Sequence, residues 1–440
     1  MLGQVAPLSR PRFGRRPALV LAALLGTTLA APPAEAGPQD PPNGGPRRPE
    51  QTTQPPSAGT GASQPPPAVP QADERPAPTN VAVAPAPVPS GRFEFGSYGR
   101  INVASDLRGR TGRDSDIVAH GSRVDDDSYA ELEFRREDTF ADGIKTRIVT
   151  TLALLPPFFH FSGVANDKFA LRQLYAQASD NGWTLWGGAR MYRGDDIYLL
   201  NWWPLDNQNT IGGGVAKAFG NTSVALHGGM QRLDVPNQFQ QIPSPIPYSI
   251  GAKNVTTLDR PRTVETAKVT HLMRGLSSPG STDGLKLVLY GEAHQMSAGV
   301  RRDPAIQSQT PLPKDSGFLI GSQVVYFTGV RDTYAAFFFR HARGLAVYDP
   351  LAYPTTLAND RTSDGANETL FAFAGNFDQR DFGVQWGSYL RFLRGATESA
   401  TSLDRYDEGI LVVRPHLYLT DHIGVAVEGS YQARLYGVLD

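Results

Sequence analysis

The chain of 440 residues contains no cysteine. This absence excludes a disulfide-stapled scaffold, a cysteine nucleophile and a metal site built on cysteine. An excess of charge of either sign is missing as well, because the formal net charge at pH 7 is −1. The chain as a whole therefore has no electrostatic preference for nucleic acid, and we expect no nucleic-acid partner.

Long hydrophobic runs are also scarce, since only one stretch, near the N-terminus, approaches the length of a membrane-spanning helix. A membrane protein built from several helices is thereby excluded. A transmembrane β-barrel is not, because its lipid-facing residues alternate with polar ones. Neither G-x-S-x-G nor H-E-x-x-H occurs, and the eight histidines are scattered. We therefore expect neither an enzyme nor a cofactor.

The N-terminal apolar run has the features of a secretory signal. Several arginines precede the stretch PALVLAALLGTTLAA, and the small residues Ala34 and Ala36 flank Glu35. A basic region, a short apolar region and an A-x-A site predict export, with cleavage after Ala36. The alternative is a membrane anchor, but a run of about 14 residues is short for a spanning helix.

Residues 37–90 have a different composition. They are rich in Pro, Gly, Gln, Ser and Ala and contain no aromatic residue. Such a segment cannot bury enough apolar surface to offset the entropy of ordering. Its prolines favour an extended, semi-stiff chain, so the segment is predicted to be a disordered periplasmic linker.

From residue 91 to residue 440 the pattern is that of β-strands. In SYAELEFRRE (128–137), Ala130, Leu132 and Phe134 alternate with Tyr129 and Glu131. Side chains two positions apart share a face of a strand, so one face is apolar and the other is charged. The same alternation recurs in FEFGSYGRINV, LKLVLYGEAH and FGVQWGSYLRF. Segments of about ten residues have the length of tilted membrane strands.

The connections between these strands differ in length. Residues 179–182 and 420–423 are short turns, whereas 234–262 and 348–367 are long. Short turns at one rim and long loops at the other are typical of outer-membrane proteins. The fold class predicted for 91–440 is therefore all-β, a transmembrane antiparallel β-barrel in the outer membrane, with the apolar face toward lipid and the charged face toward a water-filled lumen.

Several of these segments together resemble the maltoporin family of carbohydrate-selective porins. FGSYGR is similar to the first strand of the family, YAELEF to its second, and FALRQLYAQA (169–178) to its third or fourth. The longest match is WGGARMYRGDDIYLLNWWPLDNQNTIGGGVAKAF (186–219), which resembles the W-A-G-x-R-x-Y segment of the family. The likeness is good over 93–219, and it continues in the same order to about residue 435.

The resemblance implies a homotrimer of 18-stranded barrels, each with a channel for maltose- or maltodextrin-like oligosaccharides. Such a channel carries a track of aromatic residues flanked by charged residues. The residues that the resemblance places in substrate binding are Tyr98, Arg100, Tyr129, Glu131, Arg172, Arg190, Tyr334 and Phe159. Phe158, Phe159 and Phe161 are equivalent candidates for an aromatic residue that reaches into a neighbouring subunit.

The sequence also departs from the family pattern. Gly194 stands where the family usually has a constriction arginine, and Asn201 where it has an aspartate; Arg193 is a candidate substitute, shifted by one residue. The terminal aromatic residue of the last strand is missing after ARLYGVLD. We therefore expect either a C-terminally incomplete chain or a barrel smaller than 18 strands.

Three functions remain open at this point. The first is passive, facilitated diffusion of oligosaccharides, with outer-membrane lipid as the other partner of the barrel. The second is a less selective porin for small polar solutes or anions, which the altered constriction positions suggest. The third is a structural or adhesive barrel of the outer membrane. Aromatic residues that line the lumen favour the first.

Overall fold

A computed structural model describes twelve stretches of the chain. They are residues 20–22, 90–101, 116–126, 128–154, 169–244, 246–247, 249–303, 308–349, 362–379, 381–395, 405–420 and 423–434. Almost all of these residues lie in β-strands or in the connections between them. Among them no helix is both long and apolar enough to cross a lipid bilayer.

The strands of the described residues are numbered in chain order. They are β1 (Val20–Ala22), β2 (Ser90–Arg100), β3 (Tyr129–Thr139), β4 (Lys145–Leu154), β5 (Phe169–Asp180), β6 (Trp183–Tyr192), β7 (Gln208–Phe219), β8 (Thr222–Gln231), β9 (Phe239–Pro243), β10 (Asn254–Asp259), β11 (Arg262–Arg274), β12 (Gly284–Met296), β13 (Gly299–Asp303), β14 (Ser308–Leu312), β15 (Asp315–Phe327), β16 (Tyr334–Gly344), β17 (Asn367–Asp378), β18 (Phe382–Arg394), β19 (Arg405–Thr420), β20 (Ile423–Ala426) and β21 (Glu428–Arg434). Single 3₁₀ turns occur at Arg123–Asp125, Tyr198–Leu200 and Leu345–Val347.

The long strands form one antiparallel sheet in which each pairs with the next along the chain. β2 to β8 follow one another directly, and β8–β11 and β12–β15 pair across the small hairpins β9–β10 and β13–β14. β19 pairs with both β20 and β21, and β21 pairs with the short β1. The sheet has 17 strands in the described part of the chain, one fewer than the resemblance implied.

The two ends of the strands carry connections of different length, as predicted. At one end β5 and β6 are joined by Asn181 and Gly182, both with positive φ, and β7 and β8 by Gly220 and Asn221. At the other end β6 and β7 are separated by residues 193–207. Residues 234–262, which the sequence predicted to be a loop, contain the hairpin β9–β10, because Gln241 and Thr256 lie in register within two short extended runs.

The alternation of side chains separates an apolar face from a polar one over the whole sheet. Large apolar side chains such as Phe95, Leu185 and Leu289 are more than half exposed, whereas Glu131 and Glu292 are less than a tenth exposed. An ordinary soluble sheet would have the opposite distribution. The apolar face is therefore the outer, lipid-facing surface, and the charged face is the inner one.

Two of the long connections fold against the inner face. The first inner segment (116–126) follows β2, and the second inner segment (193–207) follows β6. In the first inner segment, the Ser122 hydroxyl donates a hydrogen bond to Glu428 on β21. Its neighbour Arg123 donates one to the Tyr98 hydroxyl on β2, at 2.9 Å. Because adjacent residues of this segment contact β2 and β21, the sheet curls around it.

The core of the protein lies inside the curled sheet. The inner segments contribute Ile197, Leu199, Leu200 and Trp202, which pack on the inward side chains of β15–β19. Gly387 on β18 makes room for them, because a Cβ at that position would lie 2.7 Å from the Ile197 side chain. The interior beside β15–β19 is therefore filled by these side chains.

Some predictions fall on residues outside the described ranges. These are the signal sequence, apart from residues 20–22, and the linker up to residue 89. They also include the phenylalanines of the second loop, among them Phe159, and the last six residues of the chain.

Candidate functional site

The inward faces of β2–β6, called here the open wall, carry most of the residues that the sequence singled out. On β3, Tyr129 and Glu131 share the inward face, and the Tyr129 hydroxyl donates a hydrogen bond to Glu131. Arg172 on β5 donates to both of them, at 2.8 Å to the Glu131 carboxylate, and its guanidinium lies 5.5 Å from the centre of the Tyr129 ring. Three predicted site residues thus form one hydrogen-bonded cluster.

A β-bulge places Arg172 in this cluster. Thr151 of β4 pairs with Gln173, but the next residue, Leu152, pairs with Leu171, so Arg172 is the extra residue. A bulge of this kind changes the direction of a side chain without ending the strand. Arg172 and Gln173 therefore both point inward although they are adjacent in sequence, while Leu171 remains half exposed on the outer face.

Tyr98 and Arg100 on β2 extend the cluster toward the first inner segment. The rings of Tyr98 and Tyr129 are 6.3 Å apart. Arg100 forms an ion pair with Asp126 at 3.0 Å, and its guanidinium lies 5.9 Å from the centre of the Tyr129 ring. The aromatic and charged residues of β2, β3 and β5 form a continuous strip.

Arg190 on β6 lies in a second cluster of the open wall. Its guanidinium carbon is 4.8 Å from the ring centre of Tyr175, 4.9 Å from that of Trp186 and 5.3 Å from that of Tyr192. Gly214 on β7 admits the Trp186 ring, which a Cβ at that position would meet at 2.1 Å. Of these residues, the family resemblance assigns a role only to Arg190; the alternation in WGGARMY is the signal that places Trp186 and Tyr192 on the inward face.

Tyr334 does not belong to the open wall. It begins β16 and packs against the buried cluster that contains Phe338 and Leu200. The resemblance placed it in the aromatic track from a short apolar motif, but the second inner segment fills the lumen there. Tyr334 therefore contributes to the filled side of the barrel.

The second inner segment is attached to the sheet by ion pairs. Asp195 pairs with Lys286 on β12 at 2.8 Å, and Asp206 pairs with Lys268 on β11. Arg193 donates to the main-chain oxygens of Tyr192 and Gln208, at 2.8 and 3.3 Å. Through these contacts Arg193 holds the second inner segment at the ends of β6 and β7.

Gly194 and Asn201 have structural reasons for their identities. A Cβ on Gly194 would lie 2.5 Å from the Leu205 main-chain oxygen, so the family arginine does not fit this backbone. Asn201 adopts a left-handed conformation with φ of 46° and donates to Asp126 at 2.9 Å, which links the two inner segments. His120 stacks on the neighbouring Trp202, with ring centres 4.1 Å apart.

Burial changes the ionisation of several residues in the inner segments. Burial, reinforced by the adjacent Asp195, raises the pKa of Asp196 to about 6. Burial, with Arg391 nearby, lowers the pKa of His120 to about 3, so this ring is neutral at pH 7. Burial lowers the pKa of Arg193 to about 9, which leaves it charged at pH 7.

The open wall has the chemistry of a binding surface for polar ligands. Aromatic rings and charged hydrogen-bonding groups alternate along it, from Tyr98 and Arg100 to Trp186 and Arg190. Within the described ranges no group of three or more acidic or histidine residues is arranged to hold a metal ion.

Comparison with known proteins gives one family match. The model of the LamB porin family matches residues 93–437. The comparison with curated proteins finds no match.

Among solved structures, the chain is similar in fold to OmpT of Vibrio cholerae in its trimer form, with 10% identity and a TM-score of 0.43 over 79% of this chain and 100% of that one. It is similar to OccAB1 of Acinetobacter baumannii, with 10% identity and a TM-score of 0.34 over 79% and 97% of the two chains. It is also similar to an anion-selective porin from Comamonas acidovorans, with 11% identity and a TM-score of 0.32 over 79% and 100%.

Proposed function

Because the chain belongs to the LamB porin family and is thus a channel protein of the outer membrane, we propose that it mediates the passive, facilitated diffusion of oligosaccharides. The observation that supports this substrate class most directly is the strip of Tyr98, Arg100, Tyr129, Glu131 and Arg172 on the open wall. Both kinds of contact that a sugar needs are present in it within a few ångströms.

The proposal rests on the shape and polarity of pyranose rings. Their faces carry C–H groups, which pack on aromatic side chains, and their edges carry hydroxyls, which accept and donate hydrogen bonds. The rings of Tyr98 and Tyr129 offer the first contact, and Arg172 and Glu131 the second. Several weak contacts in series suit transport, because a single tight site would retain the solute.

The assembly and the N-terminal region belong to the same proposal. We propose a homotrimer, as the family resemblance implies, with residues 1–36 removed as a signal peptide and 37–90 forming a periplasmic linker. Removal of the signal would also remove β1, whose partner among the described strands is β21.

Replacing Tyr129 tests the sugar track. Tyr129→Ala should weaken the block of ion current by maltohexaose about tenfold and the block by maltose about threefold or less, because a long sugar contacts several rings at once. The loss of one charged hydrogen bond and one ring contact accounts for an effect of about 1–2 kcal/mol. The measurement is single-channel current noise as a function of sugar length.

Two further variants separate the contribution of the Tyr129 ring from that of its hydroxyl group and from general damage to the barrel. Tyr129→Phe keeps the ring and should retain most of the length dependence. Phe134→Ala, on the same strand but on the outer face against Phe95, should leave sugar block unchanged. Equal weakening at every sugar length in Tyr129→Ala would argue against a continuous track. Absence of any sugar block in the wild type would favour the porin for small solutes.

A further inference from the structure

The arginines of the open wall differ in their partners. Arg100, Arg135, Arg147 and Arg172 each have a carboxylate oxygen between 2.7 and 3.0 Å away. Each of these charges is therefore compensated within the protein. A ligand that approaches one of these arginines meets an ion pair and not a single positive charge.

Arg190 is different. Its hydrogen bond to the Gln177 side-chain oxygen is long, at 3.5 Å, and no acidic residue pairs with it in the described part of the chain. A guanidinium has five N–H donors, so most of its hydrogen-bonding capacity remains for a ligand.

The surroundings of Arg190 hold it in one orientation. Tyr175, Trp186 and Tyr192 surround the guanidinium at 4.8 to 5.3 Å, and the Tyr192 hydroxyl is itself hydrogen-bonded to His227 at 2.8 Å. A cation held by aromatic faces keeps its charge and its planar edge, and it loses less side-chain entropy when it binds. Tyr175 and Tyr192 are buried, whereas Trp186 is half-buried and still offers part of its ring.

We propose that Arg190 and Trp186 form a binding site for the carboxylate of an acidic sugar, so that the channel prefers oligosaccharides that contain uronic acid residues. This inference rests on the proposed function and names the substrate class of the channel. The guanidinium edge matches a carboxylate with two parallel hydrogen bonds. The adjacent Trp186 ring gives the pyranose face its apolar contact, which a small inorganic anion would not use.

The experiment compares two sugars of equal length, trigalacturonate and maltotriose, as blockers of single-channel current. The wild type should bind trigalacturonate at least threefold more tightly than maltotriose, and the difference should shrink as KCl is raised because salt screens the charge. Arg190→Gln should weaken trigalacturonate block about tenfold and maltotriose block about threefold or less, because the neutral sugar loses a hydrogen bond and the acidic sugar loses a charge-assisted pair. Arg190→Lys keeps the charge but loses the two parallel N–H donors of the guanidinium. Its trigalacturonate block should lie between those of wild type and Arg190→Gln.

Arg147→Gln is the matched control, because it removes an inward arginine whose partner Glu137 also binds Arg92. It should change the block by either sugar less than threefold. Should Arg190→Gln fail to assemble, Arg190→Lys and the salt dependence of the wild type provide the test.

Three results would contradict the inference while leaving the sugar channel intact: tighter wild-type block by maltotriose, equal loss of both sugars in Arg190→Gln, or a change in chloride permeability alone. Absence of block by either sugar would contradict the sugar channel itself.

Discussion

Replacing Glu368 by alanine should destabilise the barrel by about 3–5 kcal/mol. Glu368 on β17 is 2% exposed and binds two arginines, Arg340 at 2.9 Å and Arg391 on the next strand. Without it, the hydrogen bond that the described residues still offer Arg340 is the long one to the Pro204 main-chain oxygen, at 3.4 Å, and its charge stays buried. An unpaired buried charge costs far more than the loss of a surface pair.

The measurement is urea-induced unfolding in lipid vesicles, followed by tryptophan fluorescence. Arg343→Ala is the control, because its pair with Asp364 spans 3.9 Å and both side chains are more than half exposed. This variant should differ from wild type by about 0–1 kcal/mol. If Glu368→Ala were no less stable than Arg343→Ala, the inward network of β16–β19 would not be buried as described.

Leu289→Arg should cost about 2–4 kcal/mol and impair insertion into lipid. Leu289 lies at the middle of β12 with 63% of its surface exposed on the outer face, where an arginine would have to enter hydrocarbon. Insertion is measured by the heat-sensitive shift of folded barrel on electrophoresis and by protection from protease.

Leu285→Arg is the matched control for the same strand and face. Leu285 is four residues closer to the connection 275–283 at the start of β12, where the long arginine side chain reaches the headgroup region. Its cost should be about 0–1 kcal/mol. Normal insertion of Leu289→Arg, together with failure of Leu285→Arg, would mean that the depth of β12 in the membrane is wrongly assigned.

The face of the sheet on which each strand side chain lies was predictable from the sequence. A period of two determines which residues share a face of a strand. In a membrane barrel the apolar face contacts lipid and the polar face lines the interior, so Glu131 and Tyr129 point inward as expected. The distribution of short and long connections was equally readable, because Asn181–Gly182 marks a two-residue turn by its chemistry.

The arrangement of the lumen could not be obtained in the same way. Strand periodicity gives no information on the path of a long connection, so the inward folding of 116–126 and 193–207 had no signal. Tyr334 lies apart from the cluster of Tyr98 and Tyr129 for that reason, since its surroundings are set by Leu200 from another segment. The bulge that turns Arg172 inward also breaks the periodicity from which faces are read.

The most direct test of a sugar-selective channel is the effect of maltodextrins on the ion current through the wild-type protein in a planar bilayer. Oligosaccharides of increasing length should reduce the current in a saturable manner, with affinity that rises with length as more of the Tyr98–Tyr129 strip is covered. A current that is unaffected by any maltodextrin, while neutral and charged solutes of similar size pass equally fast, would contradict the assignment of this barrel as a carbohydrate channel.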